Sequence, residues 1–156
     1  MSWNLFLDDE RELADVTWAP WHIREKYRNE EWIVCRSYED AMIEILYQGF
    51  PSFISFDHDL GHEKYTGYEL AKQLVENDII SGDKESRQAY MFTPDFDFYV
   101  HSQNPIGKAN IEGLINGYLK AKARITEVPA DTKRADELLT IAMNDEDGDI
   151  TVGKLK

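Results

Sequence analysis

The chain has 156 residues, with 30 acidic side chains against 17 Lys and Arg, a formal net charge of −13 and a single cysteine. That balance excludes broad, sequence-independent binding to nucleic-acid backbones, whose affinity comes from Lys and Arg displacing counterions. Cys35 alone excludes an internal disulfide or a multi-cysteine zinc site, and its setting Trp32-Ile33-Val34-Cys35 is that of a core residue. With 42% hydrophobic and 12% aromatic residues the chain can build a core. No apolar run approaches the roughly 20 residues of a membrane helix. The start lacks a basic region and reaches Asp8 after one short apolar segment, so a cytoplasmic protein is expected, with no membrane partner.

Strand and helix signals alternate, the pattern of an α/β domain on a mainly parallel sheet. Trp3 to Leu7 is a first strand, ending in Asp8-Asp9-Glu10-Arg11. Residues 12–31, with Trp18, Pro20 and Trp21, predict a packed loop or short helices. Glu31 to Arg36 is a second strand, and Ser37 caps a helix with Ala41, Ile45 and Leu46 on one face, closed by Gly49. Ser52 to Phe56 is a third strand whose apolar run reads as buried on both faces. After Asp57-His58-Asp59-Leu60-Gly61, Thr66 caps a helix that turns Leu70, Ala71, Leu74 and Val75 inward. Residues 81–89 form an exposed connection. Phe96 to Val100 is a fourth strand, and Pro105 suits the first turn of a helix burying Ile111, Leu114, Ile115 and Leu119. Arg124 to Val128 is an expected fifth strand and Asp131 an expected cap for a helix reaching Met143. The domain thus occupies 1–128, with 129–156 a C-terminal helix and acidic tail packed on it or trailing it.

Three strand ends carry polar groups that a buried sheet does not need: Asp8-Asp9, Asp57-His58-Asp59, and His101-Ser102 with Asn104. In an open parallel sheet ligands bind beyond the carboxyl ends of the strands, where the connections part. With the strand order 2-1-3-4-5 all three groups converge on one crevice. Carboxylates gathered there need a counter-charge, and a divalent cation with oxygen ligands, Mg²⁺ above all, supplies it. Each group alone has a plainer reading as a cap, a turn or a salt-bridged histidine; their coincidence favours a site. His58-Asp59 also matches the dipeptide of helical metal-dependent phosphohydrolases, but here it follows a strand. The acidic run Asn144 to Asp149 fails the calcium-loop pattern, with Lys154 where the bidentate Glu belongs. No P-loop, dinucleotide fingerprint or nucleophile elbow is present.

The motifs Leu5 to Arg11, Ile54 to Gly61, Thr66 to Ala71 and Val100 to Ile111 together resemble the cyclic-phosphate processing receiver-like domain, a divergent relative of the response-regulator receiver. The resemblance runs from about residue 3 to 120 and implies a receiver/flavodoxin-like three-layer sandwich. It implies that Asp8-Asp9 is the receiver's acidic pair, Asp57 its phosphate-accepting position and Ser102 its hydroxyl after strand four. Val128-Pro129 stands where a receiver has Lys-Pro, while His58 and His101 are additional.

A metal-assisted phosphoesterase acting on cyclic phosphates is therefore expected, with a small nucleotide or an RNA 3′ end as partner, in RNA or tRNA end processing or in phage–host conflict. Asp8, Asp9, Asp57 and Asp59 would hold Mg²⁺. His58 and His101 would share acid and base roles with Asp57 as the third catalytic residue. Arg11, Thr66, Ser102, Asn104, Lys108 and Asn110 would bind substrate, with N–H groups of the helix after Pro105 cradling phosphate. The alternative is a non-catalytic module that accepts phosphate on Asp57 or sequesters a nucleotide. A Trp from 12–32 stacking on a base is weighed against core packing, which is favoured.

Overall fold

The computed structural model describes residues 2–81 and 92–126. In chain order it holds β1 (Asn4–Leu7), a 3₁₀ turn (Leu13–Asp15), α1 (Trp21–Asn29), β2 (Trp32–Cys35), α2 (Tyr38–Gln48), β3 (Phe53–Phe56), α3 (Gly67–Ser81), β4 (Asp97–Val100) and α4 (Pro105–Thr126). The strands form one parallel sheet in the order β2-β1-β3-β4. Leu7 lies beside both Cys35 and Phe56, and Phe56 beside Val100, so the carboxyl ends of all four strands are level.

Alternation along the strands sends side chains into two layers. Leu5, Leu7, Cys35, Ile54, Phe56 and Val100 pack with Ala41 and Ile45 of α2, Leu70, Leu74 and Val75 of α3, and Ile111, Leu114 and Ile115 of α4. On the opposite face Phe6 and Phe53 meet Ile23 and Tyr27 of α1, with Val16 and Ala19. This is the receiver/flavodoxin-like arrangement of an α/β sandwich. Helix ends follow local chemistry. Ser37 Oγ accepts the Asp40 N–H at 3.0 Å, Thr66 Oγ1 the Glu69 N–H at 3.2 Å, and Gly49, at φ 84°, closes α2 in a conformation that favours glycine.

Two expectations change. Leu46 is 56% exposed, because the buried stripe of α2 runs through Ala41 and Ile45, and Leu46 lies about 100° further round. Of the two forms expected for residues 12–31, the short helices are the one found, a 3₁₀ turn and a nine-residue helix. Arg124 is in the last turn of α4, not in a fifth strand: Tyr118 and Ala121 extend its buried stripe, and the helix continues to Thr126. Residues 127–128 of that strand, the Val128-Pro129 comparison, the helix expected over 131–143, the acidic tail and most of the 81–89 connection lie outside the described residues. Among the described residues no helix is long and apolar enough to cross a membrane.

Candidate functional site

The parallel ladder runs one residue past each strand. Asp8 donates its N–H to Cys35 O at 3.1 Å, Asp57 to Leu7 O at 2.9 Å and His101 to Phe56 O at 2.9 Å. The fixed backbones bring Asp8, Asp57 and His101 together, with one ligand atom of each within 4.8 Å of the others. All three are buried. Asp8 Oδ1 accepts the N–H groups of Glu10 (2.9 Å) and Arg11 (2.8 Å), and Oδ2 lies 3.0 Å from His101 Nε2. Arg11 Nη1 spans the carboxylates, 3.3 Å from Asp8 Oδ2 and 3.7 Å from Asp57 Oδ2.

Electrostatics divides the two acids. Burial raises the Asp8 pKa, but the His101 hydrogen bond and the two backbone N–H groups outweigh it and hold the carboxyl far below its usual range. For Asp57, burial and then the Asp8 charge push the pKa up, more than the His58 N–H and Arg11 offset. Asp57 is thus a buried acid whose charge its surroundings do not fully compensate. Burial also raises Asp9, whose Oδ2 would lie 3.3 Å from a Cβ on Gly61.

A second group stands at the rim. His58 Nδ1 lies 3.1 Å from Asp59 Oδ1, and Asp59 Oδ2 accepts from Asn104 Nδ2 at 3.2 Å. The His58 side chain is 19% exposed and Asp59 66%, so this pair meets solvent. Two glycines set the fit. A Cβ on Gly107 would come within 2.3 Å of the His58 ring, and one on Gly67 within 1.8 Å of Asp57 O. Helices α3 and α4 therefore begin against the backbone and ring of the Asp57-His58 turn.

The family model of the cyclic-phosphate processing receiver domain matches residues 3–117. The chain belongs to this family. Comparisons with curated proteins and with solved structures returned no match.

In this receiver domain the sequence-predicted residues fall into distinct places. Asp8, Asp57 and His101 form the centre, Arg11 covers it, and His58, Asp59 and Asn104 form the rim. Asp59 and Asp9 are outside the central ligand group; the Asp59 carboxylate is engaged by His58 and Asn104, which hold its pKa below the usual range, the His58 bond foremost. His101 departs from the acid-base expectation: it is 0% exposed, with Nε2 toward Asp8 and Nδ1 2.8 Å from Ser55 Oγ. Thr66 is spent on capping α3, and Ser102 Oγ accepts the Asn104 N–H at 3.1 Å. Lys108 lies over the Tyr99 ring, 5.3 Å from its centroid, and Asn110 is half-buried in α4. The proposed phosphate cradle is already filled. Asn104 Oδ1 accepts the N–H groups of Ile106 and Gly107, and its carbonyl accepts that of Lys108.

Gln103 and Arg36, not foreseen, complete the site together with Trp18; the core packing favoured for Trp18 and Trp21 is not what is found, since they are 38% and 66% exposed. Gln103 Oε1 accepts from Arg11 Nη2 at 3.1 Å, and the Arg11 guanidinium lies 5.1 Å from the Trp18 ring centroid. The Trp18 indole N–H is held by His101 O at 2.9 Å. Arg36 donates to Asp8 O and Arg11 O and pairs with Glu12, fixing the turn after β1. Ser55 carried a signal, as a hydroxyl within a strand otherwise apolar on both faces; Arg36 and Gln103 carried none. Cys35 is buried with its thiol pushed up to about 12, chiefly by burial, which makes it inert core.

Two buried carboxylates sharing one guanidinium fit a hard divalent cation, since Asp57 retains an oxygen that accepts no hydrogen bond among the described residues.

Proposed function

We propose that this receiver domain is a metal-assisted phosphoesterase that opens cyclic phosphates, of the kind found at RNA 3′ ends and in cyclic nucleotides. The observation that carries the reading is Asp57: buried, undercompensated in charge, and adjacent in the chain to a histidine that meets solvent. Asp57 and Asp8, with Asp9 beside them, would hold Mg²⁺, which when bound supplies charge stabilisation to the phosphoryl oxygens.

The chain's own residues do the rest. Arg11, already poised between the carboxylates and supported by Gln103 and Trp18, turns to the phosphoryl oxygens as a guanidinium clamp. His58 works through Nε2, because Nδ1 faces Asp59, whose carboxylate Asn104 holds in turn. Water attacks phosphorus, one ring P–O bond breaks, and the proton lost by the water reaches the departing alkoxide through His58; the product is a phosphomonoester. Asp59 and Asn104 are positioning residues for that histidine. His101 backs Asp8 without meeting substrate.

The test is an oligoribonucleotide ending in a 2′,3′-cyclic phosphate, incubated with the purified chain and Mg²⁺ or a chelator. Conversion to a monoester end that chelator and Asp57→Asn both abolish is the expected result. Unchanged substrate, together with an acid-labile adduct on Asp57 after treatment with a small phosphodonor, would replace this reading with the phospho-accepting one.

A further inference from the structure

Behind Asp8 a chain of hydrogen bonds crosses the sheet. Tyr27 Oη of α1 lies 2.6 Å from Ser55 Oγ of β3, Ser55 Oγ 2.8 Å from His101 Nδ1, and His101 Nε2 3.0 Å from Asp8 Oδ2. Ser55, His101 and Asp8 are each 0% exposed and Tyr27 is 8% exposed. Phe6 closes one face of the imidazole, with centroids 4.6 Å apart and rings 3° from parallel.

The order Ser-His-Asp is that of a hydrolytic triad, but Ser55 cannot act as a nucleophile. Its hydroxyl is sealed between α1 and the sheet, and a triad needs an exposed one. A count of protons gives the direction. If Tyr27 donates to Ser55, Ser55 to His101 Nδ1, and Nε2–H to Asp8, three protons serve three contacts and every donor is used. Reversed, with Nδ1–H donating to Ser55 and Ser55 to Tyr27, the phenolic proton is left buried without an acceptor among the described residues. An unmade hydrogen bond in such a setting is costly.

We infer that Tyr27 and Ser55 are positioning residues that commit the His101 imidazole to donate from Nε2 to Asp8. The relay fixes the rotamer of the carboxylate without any of its three members reaching the crevice. It rests on the proposed role of Asp8 only for its effect on turnover; the hydrogen-bond direction stands apart from it.

Long-range proton–nitrogen NMR of the full chain labelled on its four histidines reads that direction at a single neutral pH. His101→Gln identifies the resonances. The expected wild-type pattern is a protonated Nε2 and an Nδ1 that accepts; Ser55→Ala moves the Nδ1 signal, and Tyr27→Phe moves it the same way by less. Ser55→Ala also lowers kcat on the cyclic phosphate about 10- to 100-fold, the range for partners that orient ligands, with little change in KM. A wild-type Nδ1–H tautomer, an imidazole protonated on both nitrogens, or an Nδ1 signal indifferent to Ser55→Ala overturns the inference. If the NMR pattern holds and no hydrolysis occurs in any variant, the phosphoesterase reading fails while the relay stands.

Discussion

Asp57 and Asp8 lie within a few ångströms of each other and are driven in opposite directions. For Asp8 the folded pKa is depressed, so its contribution to stability is present above the ordinary carboxylate value of about 4 and is lost on acidification below it. For Asp57 the folded pKa is raised, so its contribution is present below the ordinary value and is lost as pH climbs through the raised one. Without added metal, stability should therefore increase as pH falls from neutral through the titration of Asp57, then decrease once Asp8 is engaged. Thermal melts across that range check the shape. Asp57→Asn should raise the neutral-pH Tm of the metal-free chain, flatten the first limb and remove the stabilisation by Mg²⁺ that the wild type shows. A carboxylate buried beside a second carboxylate, with its pKa raised, is the pattern of a functional group.

The elements supply position by close approach. Helix α4 starts against the His58 ring only because residue 107 has no side chain. Gly107→Ala should displace the ring, cutting kcat about 100-fold, the order a general acid-base contribution takes, with a much smaller change in Tm; kinetics and melts on the same preparation separate the two. Asp78 of α3 does structural work away from the site. It accepts from Tyr118 and Lys122 of α4 and from Phe92 N, at 2.7 Å for the last. Asp78→Ala leaves the buried Tyr118 hydroxyl unpaired and should cost about 2–4 kcal/mol in urea unfolding. At this scale the sequence was informative where chemistry repeats locally: Ser37, Thr66 and Pro105 all mark real helix starts. It misled at Arg124, because a buried helical stripe and a short strand both present apolar residues and only packing against α3 distinguishes them.

For the whole molecule, what was legible was convergence. Polar groups at the ends of three apolar strands meet because a parallel sheet levels its carboxyl ends, so Asp8, Asp57 and His101 follow from pattern and topology together. The roles within the cluster were not legible, since whether a histidine faces the crevice or the back of a carboxylate depends on residues such as Ser55 and Tyr27, far apart in the chain. Net charge sets a further expectation. A net charge of −13 disfavours broad contact with a phosphate backbone, so affinity should track the terminal cyclic phosphate. Lengthening an oligonucleotide while keeping its end should leave KM within about twofold and its salt dependence shallow.

The most direct test of the account follows a cyclic nucleotide by phosphorus NMR in the presence of the full chain and Mg²⁺, with His58→Gln in parallel. The cyclic resonance should decay into that of a monoester with the wild type and persist with the variant. Persistence with both, or equal decay with both, would contradict the assignment of this site to cyclic-phosphate opening through His58.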